Sequence, residues 1–307
     1  MVWILLVLLY GLLKGSREIS KKKAMDKNSV MEVLFTYTLI SFILVIPQVK
    51  NAGGMELRFY FYIALKSFFI FIAWICGFKS LKRLPVSVYG ILDLSRVLFA
   101  TFLGVIVLGE KLNYWQIAGL IIVCAGLLLL RFKPLPLRRL FNVQEDSLIA
   151  GNPSDHYGKN TYAAVIYISM ALISCILNAV SGLMDKILMK SLNSSQLQFW
   201  YMLFLVIYYS LYILIKREKI SFSILKNGWM WGMAVMFVIG DKALFIANGM
   251  EGSRITIMTI VKQFGCIITI LGGKIFFNEK NTSYRLFCAL VIIMGILFGI
   301  LFSSYKL

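Results

Sequence analysis

A stripe of ionisable side chains interrupts one of the apolar stretches of this 307-residue chain. Tyr89, Asp93 and Arg96 are spaced four and three residues apart, so on a helix they lie along one face. A charge at the centre of a hydrocarbon layer costs about 2.5–3.5 kcal/mol on insertion scales, so each one needs a physical reason. Two readings stay open: a buried ion pair that fixes helix packing, and contact with a polar ligand.

Further charges lie in other apolar stretches. Lys66 shares a helical face with Trp74, and a cation beside an aromatic ring suits a polar ligand with a flat or cationic part. Snorkelling of Lys66 to a membrane interface is the alternative. Asp241 lies deeper in its stretch than Asp185 does, which makes it the better ligand candidate. The predicted substrate-binding set is Lys66, Trp74, Tyr89, Asp93, Arg96, Asp241, Lys262 and Gln263.

The first apolar stretch ends in a cluster of charges. Lys14, Arg17 and Glu18 occupy positions i, i+3 and i+4, so Lys14 and Glu18 can pair on a helix. The cluster is predicted to form a gate or an interfacial collar near the cytoplasmic end.

The sequence lacks the residues that several other kinds of chemistry require. The five cysteines lie in apolar stretches without CxxC spacing, and the single histidine, His156, lies in a polar segment. No P-loop and no DxxD cluster occurs. We therefore predict no catalytic residue, metal or cofactor, and no direct use of ATP.

The apolar stretches predict a membrane protein. The chain is 60% hydrophobic with a mean hydropathy of +0.81, and its apolar runs have about the 18–25 residues that cross a bilayer. The net charge of +18 is explained by basic loops beside anionic lipid headgroups, and no nucleic-acid partner is expected. The prediction is an all-α fold of ten membrane helices, at about residues 2–20, 30–48, 58–79, 85–108, 114–131, 161–186, 197–215, 228–248, 254–277 and 285–303.

The two halves of the chain resemble each other. When Glu110-Lys111 is aligned with Glu279-Lys280, Gly126 falls on Gly295 and Asp93 falls on Lys262; Gly104 likewise falls on Gly273, and Ser87 on Thr256. An odd number of helices per half makes the repeats inverted, so Asp93 and Lys262 are expected to approach a pseudo-two-fold axis from opposite sides. The predicted organisation is a five-helix repeat at 1–131, a polar loop at 132–159 and a second five-helix repeat at 160–307.

The stretch SLKRLPVSVYGILDLSRVLFATFLGVIVLGEKLNYWQIAGLIIVCAGLLLL resembles the end of an EamA-type repeat. The second copy, SRITIMTIVKQFGCIITILGGKIFFNEKNTSYRLFCALVIIMG, is similar but has Asn278 for Gly109 and Arg285 for Gln116. The resemblance implies the drug/metabolite transporter superfamily. At the shared turns, Glu110 and Glu279 are predicted to cap the N-terminus of the helix that follows each of them.

These features favour a secondary active transporter over an enzyme. It would move a small anionic or zwitterionic metabolite by alternating access, with the lipid bilayer as its other partner. A flippase for a lipid-linked or amphipathic substrate is the main alternative, and a membrane transferase is a weaker one. Proton coupling through Asp93 or Asp241 is a hypothesis, and assembly as a homodimer stays open.

The distribution of basic residues predicts the orientation in the plasma membrane. The first helix has no positive charge before it and is followed by a run of them, an arrangement that places its C-terminal end in the cytoplasm. The other connections on that face are also basic, so both termini are expected outside. The basic residues of that face include Lys14, Arg17, Lys21, Lys22, Lys23, Lys27, Lys79, Lys82, Arg83, Arg131, Lys133, Arg138, Arg139, Lys216, Arg217, Lys219 and Lys226.

Cysteine labelling in intact cells tests this orientation. In a background without the native cysteines, we expect H156C to resist a membrane-impermeant maleimide until the cells are permeabilised. We expect K306C to react without permeabilisation. Labelling of H156C in intact cells would show that the charge bias has been read the wrong way round.

Overall fold

The computed structural model describes residues 2–108, 113–132, 159–189, 191–218, 220–250 and 255–301. Within these ranges the chain forms α-helices and two short 3₁₀-helices, Ile46–Asn51 and Phe222–Lys226. In chain order the α-helices are α1 (Val2–Ala24), α2 (Val30–Val45), α3 (Leu57–Arg83), α4 (Val86–Asp93), α5 (Arg96–Leu108), α6 (Tyr114–Phe132), α7 (Lys159–Leu188), α8 (Ser194–Lys216), α9 (Gly228–Gly249), α10 (Ile255–Phe277) and α11 (Thr282–Leu301).

The helices confirm the all-α, multi-span membrane fold. Six helical stretches are long and apolar enough to cross a bilayer, and shorter apolar helices accompany them. The predicted spans agree with the observed helices to within a few residues, with one exception. The span predicted at 85–108 is interrupted, because the N–H groups of Leu94 and Ser95 bond to carbonyls only three residues earlier. α4 and α5 are therefore separate helices.

Reciprocal capping boxes fix the start of two helices on opposite sides of the bundle. Ser29 and Glu32 form a reciprocal capping box at the start of α2, and Asn193 and Gln196 form another at the start of α8. In each case a side-chain oxygen satisfies backbone N–H groups that have no partner within the helix.

The first five spans and the last five spans make equivalent helix contacts. α1 packs on α9 and α10, and α7, which lies five spans later, packs on α3 and on α4 and α5. α2 packs on α8, α4 on α10, and α6 on α11. Exchanging the first five spans for the last five leaves these neighbours unchanged, which is the pattern that a pseudo-two-fold axis produces.

Two glycines that match in the sequence lie at one interface, between α6 and α11. A Cβ added to Gly126 would lie 2.5 Å from Cγ1 of Ile292, and one added to Gly295 would lie 2.9 Å from Cβ of Ile122. The two helices approach this closely because neither position carries a side chain. The repeat alignment matched these two glycines, and the structure places both at the same interface.

Candidate functional site

Asp93, the last residue of α4, binds two cations. Its Oδ2 accepts a hydrogen bond from Nζ of Lys14 on α1 at 2.6 Å, and its Oδ1 accepts one from Arg96 at the start of α5, also at 2.6 Å. We call these three residues the Asp93 triad. Because it contains two cations and one carboxylate, the triad has a net positive charge.

Lys262 is not the partner of Asp93 that the repeat alignment led us to expect. Its Nζ lies 5.9 Å from the ring centroid of Tyr10 on α1, and no carboxylate among the described residues lies within 4 Å of it. The reason is the position of α1, whose Lys14 reaches Asp93 directly.

Lys14, Arg17 and Glu18 do not form a solvated collar. Arg17 and Glu18 are buried, and Lys14 pairs with Asp93 rather than with Glu18. Oε1 of Glu18 instead accepts a hydrogen bond from Nζ of Lys21 at 2.7 Å. The reading of this cluster as a collar is therefore wrong.

Lys66 on α3 is buried and does not snorkel to an interface. Its Nζ lies 2.6 Å from Oδ1 of Asp185 on α7 and 4.0 Å from the ring centroid of Tyr201 on α8. The aromatic neighbour of the Lys66 cation is thus Tyr201, whereas Trp74 lies elsewhere on α3. Asp185, which the sequence ranked below Asp241, is the ionic partner of Lys66.

Trp74 belongs to an aromatic cluster at the centre of the bundle. Its ring centroid lies 5.3 Å from that of Tyr37 on α2, 5.4 Å from that of Phe237 on α9, and 6.4 Å from that of Tyr201. The cluster joins helices from both halves of the chain. Arg17 extends it, because its guanidinium carbon lies 5.0 Å from the centroid of Phe237.

Three charged side chains in this region have no ionic partner among the described residues. Arg17, Asp241 and Lys262 make no ion pair within 4 Å. They lie on α1, α9 and α10, and α1 packs against both of the other helices. Asp241 interacts electrostatically with both cations at longer range. Lys66 of α3 and Asp93 of α4 are paired, whereas these three residues are not.

The space beside the Asp93 triad is small. A crevice lined by Lys14, Glu18, Tyr89, Asp93 and neighbouring residues of α4 and α10 has a volume of about 10 Å³, which is enough for about one water molecule. The sequence predicted substrate-binding residues here, and pockets for metabolites usually measure about 300–1,000 Å³, so this crevice is too small for one. A larger hollow of about 600 Å³ lies at one end of the bundle, between the α1–α2 turn and Ile224–Trp229.

Glu279 caps a helix of the other half of the chain. Its carboxylate accepts hydrogen bonds from the N–H groups of Val86 (2.5 Å) and Ser87 (3.2 Å), from the Ser87 hydroxyl, and from Arg285 (2.9 Å). We call this set the Glu279 latch. The prediction that Glu279 caps the following helix, α11, is wrong, because the α10–α11 turn packs against the start of α4 and brings those unpartnered N–H groups closer.

A second network joins the halves at the opposite end of the bundle. Nζ of Lys242 on α9 donates to Oε1 of Gln48 (2.9 Å), Oγ of Ser194 (3.1 Å) and Oγ of Ser195 (2.9 Å). We call it the Lys242 tie. Successive membrane spans run in alternating directions, with α4 and α5 together forming one span. The Lys242 tie and the Glu279 latch therefore lie at opposite membrane faces.

Two of the predicted residues cannot be placed. Glu110 lies outside the described residues, and so does the side chain of Gln263. In the described part of the chain, no group of three or more histidine, cysteine, aspartate or glutamate residues could hold a metal ion.

Sequence reasoning missed several residues of this region. Asp185 was set aside as too shallow, and Tyr37 and Tyr201 were not distinguished from other aromatic residues in apolar stretches. What distinguishes these residues is which helices pack around them, and residue spacing alone does not show that. Arg17 was recognised as a charge within an apolar helix, but it was assigned to the wrong environment.

Comparison with known proteins supports the resemblance drawn from the sequence. Residues 1–132 match the model of the EamA-like transporter family. One solved structure, described only as "Crystal structure of protein", is similar over 98% of this chain and 97% of its own, with a TM-score of 0.63. At 12% identity this likeness concerns the fold alone. No curated protein matches the chain.

The geometry of the Asp93 triad predicts that replacing its aspartate lowers stability more than replacing its lysine does. D93N leaves Lys14 and Arg96 without a counterion, whereas K14M leaves Asp93 paired with Arg96. Removing one partner of a buried pair typically costs about 3–5 kcal/mol, so we expect D93N to lower the melting temperature of the purified protein substantially, and K14M to lower it less. Equal destabilisation by the two variants would contradict the triad.

Proposed function

We propose that this protein is a secondary active transporter that moves a small anionic or zwitterionic metabolite across the plasma membrane by alternating access. Support comes from the match of residues 1–132 to a transporter family, from the multi-span fold, and from ionic groups inside the bundle. The moving units would be the two five-helix repeats, 1–131 and 160–307. Both termini would lie outside the cell.

The unpaired charges are the observation that carries this proposal. Isolated charges inside a membrane protein are costly, and they mark substrate or ion pathways. Arg17 lies on α1, Asp241 and Lys262 lie on the two helices that pack against α1, and none of the three has an ionic partner among the described residues. A bound molecule that completes these pairs would remove the cost.

The signs of these charges indicate the class of substrate. Arg17 and Lys262 attract an anionic group, and Asp241 attracts a cationic one, so a zwitterion satisfies both. The Asp93 triad adds another net positive charge beside the same helix. A lipophilic cation would have to bind next to this excess of positive charge and is disfavoured.

The Glu279 latch and the Lys242 tie are consistent with the small volume of the crevice. The Glu279 latch and the Lys242 tie are both intact, so the two halves are joined at both membrane faces. Alternating access requires one network to break while the other holds. In this account the structure corresponds to an occluded state, and opening would enlarge the 10 Å³ crevice beside Asp93.

Asp241 is a better candidate for proton coupling than Asp93. Protonation of Asp93 would leave two cations without a counterion, whereas Asp241 has no direct cation partner to lose. The charged groups that act on Asp241 include Arg17, Lys66, Asp185 and Lys21, and Asp241 also interacts with Lys262. Proton-driven uptake should therefore depend on the pH gradient in the wild type and lose that dependence in D241N.

A ligand screen tests the proposed function. The purified protein is screened by thermal shift against amino acids, nucleosides, sugar phosphates and quaternary amines, and hits are tested for counterflow in proteoliposomes. We expect hits among anionic or zwitterionic compounds, with shifts that shrink in D241N and K262M but not in the surface control E56Q. Hits confined to quaternary amines, or shifts unchanged in both variants, would overturn the proposal.

The Glu279 latch predicts which variant opens the bundle. Cys266 lines the crevice and is 6% exposed, so with the other four cysteines replaced by serine it reports water access. Charge-assisted hydrogen bonds contribute about 1.5–3 kcal/mol, so E279Q should raise Cys266 labelling by a water-soluble methanethiosulfonate about tenfold or more.

The increase should occur from the face where α4 begins, as measured in oriented vesicles. E56Q, whose carboxylate is exposed, serves as the control. An unchanged labelling rate in E279Q, or an increase only from the opposite face, would show that Glu279 does not hold this face closed.

A further inference from the structure

The buried guanidinium of Arg17 has donor capacity that the described chain does not use. Arg17 is 9% exposed, and its Nε has no hydrogen-bond partner in the described part of the chain. A guanidinium has five N–H donors in a planar fork and stays charged, so burial without partners is unfavourable. Its contact with the ring of Phe237 offsets only part of this cost.

A second unused donor lies on the same ring. Tyr37 is fully buried, and its hydroxyl also has no partner among the described residues. The ring centroids of Tyr37 and Phe237 are 5.5 Å apart, so Arg17 and Tyr37 both contact Phe237. The guanidinium and the phenol also interact electrostatically. Two polar groups left unsatisfied around one ring would each cost about 1–3 kcal/mol.

We propose that Arg17 and Tyr37 form a subsite for a carboxylate of the transported molecule. This inference rests on the proposed transport function and names the group that the site recognises. The planar fork of Arg17 matches the two oxygens of a carboxylate, and the Tyr37 hydroxyl donates to one of them. The rings of Phe237 and Trp74 then contact the apolar part of the molecule.

The local charge favours a substrate that carries a carboxylate. Arg17 and Lys262 are opposed by Asp241 alone, so the unpaired groups have one excess positive charge, which one carboxylate neutralises. An additional ammonium group on the substrate would face Asp241.

Four compounds with the same carbon skeleton test the subsite: L-leucine, 2-oxoisocaproate, isocaproate and L-leucinamide. Binding is measured by titrated thermal shift, and transport by counterflow with kcat and KM. The three carboxylates should bind to the wild type, and R17K and Y37F should each raise their KM by about tenfold or more. L-leucinamide lacks the carboxylate, so its weaker binding should not change in either variant.

The variants are chosen to keep the fold. R17K retains the charge and loses the fork, and Y37F removes only a hydroxyl without a partner, so the melting temperature of ligand-free Y37F should not fall. Carboxylate binding that is unchanged in both variants would overturn the subsite but leave transport intact. Transport of other compounds without carboxylate binding in the wild type would do the same. No transport of any screened compound would instead overturn the proposed function, and the subsite with it.

Discussion

The cost of placing charge in a hydrocarbon layer governs this structure. Most of the buried charges are partnered, and each partnership joins different helices or adjacent turns, so ion pairs and helix packing are specified together. Those partnerships are Lys14 and Arg96 with Asp93, Lys66 with Asp185, Lys21 with Glu18, and Arg285 with Glu279. Arg17, Asp241 and Lys262 depart from the rule in the described chain, and they do so around a single helix, α1. We therefore place the proposed substrate site at these three residues.

α4 takes part in both the Glu279 latch and the Asp93 triad. Its first residues are bound by the Glu279 latch at one membrane face, and its last residue, Asp93, is bound by Lys14 inside the bundle. A substrate that competes for Lys14 would loosen one end of α4, and loss of the latch would loosen the other. In the proposed transport mechanism this helix of only eight residues, which a turn separates from α5, would move as a unit between these two sites.

The sequence predicted the helices well because their signal is local. Apolar run length and breakers place nearly every span to within a few residues, and the matched glycines anticipated the α6–α11 interface. Ionic partners were harder to predict, because Lys14 and Asp93 are 79 residues apart and their contact depends on how α1 crosses α4. The same holds for Glu279, whose cap joins residues more than 190 positions apart. The break after Asp93 also escaped prediction, since no proline or glycine marks it.

The most direct test of the central claim is the melting temperature of the ligand-free protein carrying K262M. Methionine has a similar volume and no charge, so replacing a partly buried lysine that has no ionic partner should remove a desolvation cost. The account predicts a melting temperature at or above that of the wild type, together with loss of substrate binding. A large decrease would show that Lys262 has a stabilising partner in the resting protein, and the unpaired charges would then no longer mark a binding site.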